Sequence, residues 1–250
     1  MTFTPLASSS HGNAYILDDG KSRLLIECGV SWKRLQRLSG FHLSGLCGCL
    51  LSHEHHDHAG CYLQLISAGV PVYASEGTAE ALECGLFELL EDREPVTVGS
   101  FDVLPFPTFH DAAEPMGFLI RGADGDKLIF ATDTVNLGYQ FPGVDLAAIE
   151  CNYDPRILDL AQRMPDKVRV RISNAHMSIE RACRWLERLD KSRLRTVYLM
   201  HLSDACSDEW RFAAMARRAV GPGVQVVVCP KERKEPEGGT SDGTQTEAGN

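Results

Sequence analysis

Residues 52 to 58 read Ser-His-Glu-His-His-Asp-His. Four imidazoles and two carboxylates fill six consecutive positions there, directly after the apolar run Leu46-Cys47-Gly48-Cys49-Leu50-Leu51. Imidazole and carboxylate are the ordinary protein ligands of zinc and other first-row divalent cations. Such a density of ionisable groups suits neither a core nor a plain surface, and it predicts a metal centre. Three further segments carry a ligand-type residue at the end of an apolar run. Leu104-Pro105-Phe106-Pro107-Thr108-Phe109 leads into His110, Leu128-Ile129-Phe130-Ala131-Thr132 into Asp133, and Val197-Tyr198-Leu199-Met200 into His201. Open α/β sheets gather their chemistry at such strand ends. With His53, His55, Asp57 and His58 the candidates number seven. One zinc-like ion accepts about four ligands, whereas two ions about 3.5–4 Å apart accommodate the set.

The elements that must position these groups are short apolar strands mixed with helices. Strands are predicted over 14–18, 22–27, 46–51, 71–74, 101–106, 116–121, 127–131, 146–150, 195–200 and 224–229. Helices are predicted over 31–39, 59–69, 77–91, 155–164, 178–189 and 207–219. Gly40, Gly69 and Gly221 fall at or just after helix ends, where left-handed caps are expected. Strands dominate early and mix with helices later, so two sheets with helices outside fit best.

The chain has 250 residues, 44% of them hydrophobic, enough for one large domain. Residues 1–230 are expected to form it, and 231–250, almost devoid of apolar side chains, a disordered tail. Nine cysteines without a Cys-x-x-Cys pair read as reduced, structural thiols. Neither a signal segment nor a membrane-length apolar run is visible, so a cytoplasmic protein without membrane contact is expected. The formal charge is −9. Residues 155–200, however, carry eleven Lys/Arg against five acids, a basic sector able to meet phosphates.

The H-x-H-x-D-H pattern, a later His, a later Asp and a final His, in this order, resemble the metallo-β-lactamase-fold hydrolases. Within that fold the chain is most similar to the YycJ/WalJ branch of 5′-to-3′ exonuclease-like proteins. The resembling segments are Ala7-Ser8-Ser9-Ser10-His11-Gly12-Asn13, the 52–58 loop, His110-Asp111-Ala112-Ala113-Glu114-Pro115, Glu150-Cys151-Asn152, Ala175-His176-Met177-Ser178 and Met200-His201-Leu202-Ser203. His11 departs from the pattern, which has Ser or Gly there. The resemblance implies a metallo-β-lactamase-type αββα sandwich of two mixed sheets with outer helices. It further implies His53, His55 and His110 on one metal, Asp57, His58 and His201 on the second, and Asp133 between them. Glu54 and His56 are then supporting or surface groups.

The expected chemistry is metal-assisted hydrolysis of a phosphodiester by a water activated between two divalent ions, Zn or Mn, with Fe also suitable. Asp57 would orient that water, His176 would give a proton to the leaving oxygen, and Glu150 would orient His176. The expected partner is nucleic acid, single-stranded or end-containing DNA, and a homodimer is left open. Phe109, Tyr139, Phe141 and Trp185 are candidate base-stacking rings, against core roles for the same residues. Two other readings stand beside the nuclease: hydrolysis of a small lactone, thioester or cyclic phosphodiester, and a catalytically idle binding module on the same fold.

Overall fold

A computed structural model of the chain describes residues 1–43, 45–161 and 164–231. Among these residues, six strands form one sheet: β1 (Thr2–Ser9), β2 (Gly12–Asp18), β3 (Arg23–Cys28), β4 (Leu46–Leu50), β5 (Val72–Ser75) and β6 (Glu88–Leu90), side by side in chain order. Seven form the other: β7 (Val96–Val98), β8 (Phe101–Pro107), β9 (Met116–Arg121), β10 (Lys127–Ala131), β11 (Leu146–Glu150), β12 (Thr196–Met200) and β13 (Gln225–Val228), again neighbour to neighbour. Both sheets are mixed. β3 to β6 and β10 to β13 run parallel, the remainder antiparallel.

Period-two alternation divides each strand between two cores. Phe3, Leu24, Ile26, Leu50, Phe101, Phe118, Phe130 and Met200 point between the sheets and make one buried cluster. Leu25, Cys49 and Val72 point outward against α1 (Trp32–Leu38) and α3 (Tyr62–Ser67), which contribute Leu35 and Leu65. On the far side Ile129, Ile149 and Val197 meet α7 (Ile179–Arg188) and α8 (Glu209–Val220) through Trp185 and Phe212. The result is the expected αββα sandwich. The short helices α2 (His56–Ala59), α4 (Glu76–Ala81), α5 (Pro155–Leu160) and α6 (Asp166–Ala175) occupy connections. None of the described helices is long and apolar enough to cross a membrane.

Two predicted helices need correction, and the fold adds elements at 2–9 and 166–175. The helix predicted over 77–91 ends at Ala81. Glu83 takes a left-handed φ of 50°, and the chain then pairs with β5 as edge strand β6, leaving Leu86 and Leu89 exposed. The helix predicted over 59–69 is two helices, broken at Gly60-Cys61. β1 carries Pro5, a residue that argues against a strand in the sequence. It is an edge strand, where a missing N–H need not cost a ladder bond, and its register shifts between Pro5 and Ala7. α6 was hidden by the Val168-Arg169-Val170-Arg171-Ile172 alternation, which mimics a strand. Gly40, Gly69 and Gly221 all take the positive φ expected of them, 63°, 79° and 82°, although Gly221, with ψ of 178°, is extended rather than left-handed helical. Of the tail expected over 231–250, only Lys231 lies within the described residues; its ammonium donates to Ser203 O and Ser207 Oγ.

One carboxylate ties the sheets at the end where β8 and β10 begin. Asp19, in the β2–β3 turn, accepts from Lys21 N and Ser22 N in its own turn, from Ser100 Oγ before β8, and from Ala123 N before β10. Partial burial raises its pKa, but these donors, Ala123 N foremost, outweigh that and hold the carboxyl well below the usual range. Asp19→Ala is expected to cost about 2 kcal/mol. Because the folded pKa is depressed, the wild-type advantage exists above the unfolded value near ~3.9 and disappears as pH falls through the folded value. Denaturant melts at neutral and acid pH check this: equal stability of the two proteins at neutral pH would refute it.

Candidate metal centre

The topology brings the chemistry-bearing residues to one rim. β10, β11 and β12 are adjacent and parallel, so the residues at or just past their C-terminal ends, Asp133, Glu150 and His201, stand side by side. His110 arrives from the end of β8, and the 52–58 loop from the end of β4. The 52–58 loop therefore comes from one sheet and His110, Asp133 and His201 from the other. Asp133 and His201 take φ of 41° and 54°. A non-glycine residue held left-handed costs of order 1–3 kcal/mol and is a recurrent mark of functional sites.

The structure gathers all seven predicted ligands into two donor groups that share Asp133. In the first, His53 Nε2 lies 3.0 Å from His55 Nδ1, which lies 3.2 Å from His110 Nε2. Asp133 Oδ2 closes this group at 3.7 Å from His53 Nε2 and 3.5 Å from His110 Nε2. In the second, Asp57 Oδ2 is 3.4 Å from both His58 Nε2 and His201 Nε2, and Asp133 Oδ2 is 3.2 Å from His58 Nε2. A tetrahedral ion with ligands 2.0–2.1 Å away spaces them about 3.4 Å apart. The spacing therefore fits.

The proton inventory fits as well. His110 Nδ1 donates to Ala175 O at 2.8 Å, so in the neutral ring Nε2 carries a lone pair. That lone pair faces His55 Nδ1, Asp133 Oδ2 and, at 3.3 Å, Asp111 Oδ1. With the two carboxylate oxygens this lone pair makes a set of acceptors suited to a cation. Burial and the neighbouring His58 push the His53 pKa well down, and burial and His110 lower that of His55. For His58 and His201 burial acts the same way, but the surrounding carboxylates, Asp133 foremost, together outweigh it and raise both.

A surrounding set of side chains holds the donors. Glu27 is fully buried in β3 with φ of 62°, accepts from Ser52 N, and places Oε2 3.5 Å from His58 Nδ1. A carboxylate behind an imidazole raises its basicity. Asn13 Nδ2 donates to Asp57 O and lies 3.2 Å from His58 Nε2; Ser8 Oγ accepts from His201 N, and Asn152 Nδ2 donates to His201 O. Ser8, Asn13 and Asn152 lie in the resembling segments, where the sequence alone does not mark them as supports, and Glu27 carries only the signal of an acid ending an apolar strand. Gly29 sets the loop's height. A Cβ on it would stand 1.7 Å from Asp57 O, so any larger residue must displace the loop.

Glu150 and His176 form a pair beside the donors. Glu150 is fully buried; its Oε2 accepts from Thr134 N and Met177 N, and its Oε1 lies 2.6 Å from His176 Nδ1. Burial disfavours the imidazolium of His176, but the Glu150 carboxylate outweighs that and raises its pKa. Asp133, Glu150, His176 and His201 also lie close enough to form a third donor group. With Oε1 and Oε2 already engaged by three N–H donors, however, Glu150 is suited to orienting His176 rather than to ligating. His176 and five of the donors line a cleft of 220 Å³ whose far wall is Val168, Arg171 and Ile172 of α6. A larger cavity of 580 Å³ opens beside Met1, Asp18 and Arg23, away from every donor, so chemistry rather than size singles out the cleft.

Glu54 donates no ligand atom to these groups; its Oε1 accepts from Ala113 N, and His56 is exposed. His11 lies outside them too, 3.7 Å from Asp204 Oδ2. The basic sector does not form one surface. Arg169 pairs with Asp166, Arg171 with Asp111, Arg193 with Asp145 and Arg195 with Asp126. Lys191 donates to carbonyls at the end of α7. Of the candidate stacking rings, Trp185 is core and Phe109 is 58% exposed at the rim.

A family model described as the beta-lactamase superfamily domain matches residues 22–202. The exodeoxyribonuclease YycJ of Bacillus anthracis is 30% identical over 218 residues, covering 80% of this chain and 82% of that protein. The exodeoxyribonuclease WalJ of Streptococcus pneumoniae serotype 2 is 29% identical over 221 residues, covering 80% and 81%. Among solved structures, the metallo-beta-lactamase fold protein YhfI from Bacillus subtilis superposes with a TM-score of 0.68 at 19% identity, covering 90% of this chain and 95% of that one.

Proposed function

This chain belongs to the beta-lactamase superfamily, in the branch of the YycJ and WalJ proteins, and we propose that it is a dinuclear-metal-dependent phosphodiesterase, a nuclease that hydrolyses DNA from an end. The hydrolase domain is taken as residues 1–230. The observation that carries the reading is the pair of donor groups overlapping at Asp133. His53, His55 and His110 would hold one divalent ion, Asp57, His58 and His201 a second, and Asp133 would serve both. Zn and Mn suit such nitrogen and oxygen donors, as does Fe.

Bound there, the cations would bring the pKa of water toward neutrality and offset charge developing on the phosphoryl oxygens. The chain's own groups do the rest. Asp57, one-quarter exposed at the cleft, is placed to accept a hydrogen bond from the attacking water and orient it. His176, held through Nδ1 by Glu150, lines the same cleft and is placed to donate a proton from Nε2 to the leaving oxygen. The names of the two relatives support DNA as the substrate.

The test is elemental analysis of the purified chain followed by a panel of single-stranded DNA, RNA, bis(p-nitrophenyl) phosphate and a lactone. About two ions per chain and chelator-sensitive release of nucleotides from DNA are expected. Turnover of the lactone without either phosphodiester would overturn the nuclease reading in favour of a small-substrate hydrolase. Metal binding without any turnover would favour an idle module.

A further inference from the structure

Three arginines of α7 gather in one place. Arg181, Arg184 and Arg188 line a groove of 450 Å³ together with Asn136 and Glu187. Their spacing of three and four residues puts them on one face of α7, spanning about 10 Å along its axis. The opposite face is fixed in the core by Ala182, Trp185 and Leu186, and Trp185 Nε1 donates to Tyr139 O. The helix therefore presents the stripe rigidly. Arg181 Nη1 donates to Val135 O, while Arg184 and Arg188 are exposed and have no carboxylate partner among the described residues. Glu187 is the single acid in the groove, so its lining is net positive on a chain of charge −9.

One short stretch of chain links the groove to the cleft. Asp133 lines the cleft and Asn136 the groove. Between them Val135 gives its carbonyl to Arg181 and its N–H to Phe109 O. Phe109, next to His110, is the exposed ring on that divide. Guanidinium forks bind phosphate oxygens bidentately, and an exposed ring between two phosphate sites gives a base a surface to stack on.

We propose that the Arg181–Arg184–Arg188 groove binds the sugar–phosphate backbone of a single-stranded nucleic acid whose scissile linkage lies in the cleft. The inference rests on the nuclease reading for the direction of the strand, but its test reads binding alone. The probe is a fluorescent single-stranded phosphorothioate DNA, which resists hydrolysis, titrated with the metal-replete full chain over a series of NaCl concentrations. Each lost phosphate contact on a single strand lowers the slope of log affinity against log salt by about 0.7. Arg184→Gln/Arg188→Gln should therefore flatten the slope by about 1.4 and weaken binding on the order of tenfold. Arg184→Lys/Arg188→Lys, which keeps both charges, should retain most of the slope. Both side chains are exposed, so unchanged melting temperatures are expected and would exclude misfolding. An unchanged slope in the Gln variant, no measurable binding by wild type, or equal binding of polyglutamate would overturn the groove. A wild type that binds with this salt dependence yet hydrolyses no phosphodiester would sink the proposed function and leave the groove standing.

Discussion

Asp133→Asn is expected to reduce hydrolysis of single-stranded DNA by on the order of 10²–10³-fold, the scale seen when a group stabilising transition-state charge is removed. The reason is its position. Its carboxylate lies 2.9 Å from His201 Nδ1, 3.2 Å from His58 Nε2 and 3.5 Å from His110 Nε2, the shared member of both donor groups. An amide of the same shape carries no charge and turns an N–H₂ toward imidazole nitrogens. Metal content measured by mass spectrometry after dialysis should drop from about two ions per chain to one or none. Retention of both ions with undiminished turnover would remove Asp133 from the centre of the site.

His176→Ala should behave differently. General acid catalysis contributes about 10²–10⁴-fold, so kcat on DNA should fall by that factor while both ions stay bound. The substrate supplies the internal control. The alkoxide leaving from DNA needs a proton, whereas p-nitrophenolate departs without one, so bis(p-nitrophenyl) phosphate should lose far less rate. Equal losses on both substrates would argue against proton donation. Metal lost in parallel with activity would make His176 part of the third donor group, with Asp133, Glu150 and His201.

Strands with uninterrupted apolar character were legible. The intervals 116–121, 127–131 and 146–150 coincide with β9, β10 and β11, because buried parallel or central strands read as continuous hydrophobic runs. The candidate ligands were legible for a related reason: a His or Asp ending such a run has few bland explanations. What escaped was decided by tertiary contact. Glu27 looks like an ordinary strand residue until His58 is brought against it, and the 82–91 stretch reads as helix until the edge of β5 offers it a partner. The basic sector, uniform in sequence, is sorted by folding into arginines bound to Asp126 and Asp145 and arginines that line a groove beside α7.

The division of the donors between the two sheets has a thermodynamic consequence. The 52–58 loop hangs from β4, while His110, Asp133 and His201 hang from β8, β10 and β12. Cations held among them would act as cross-links across the sandwich, and separating the layers would require their release. By mass action a ligand specific for the folded chain adds about 2.7 kcal/mol of stability at a hundred times its dissociation constant. On the dinuclear reading, free cation concentration then governs not only turnover but how often the two sheets part. A shortage of metal would register as faster unfolding and proteolysis as well as slower catalysis.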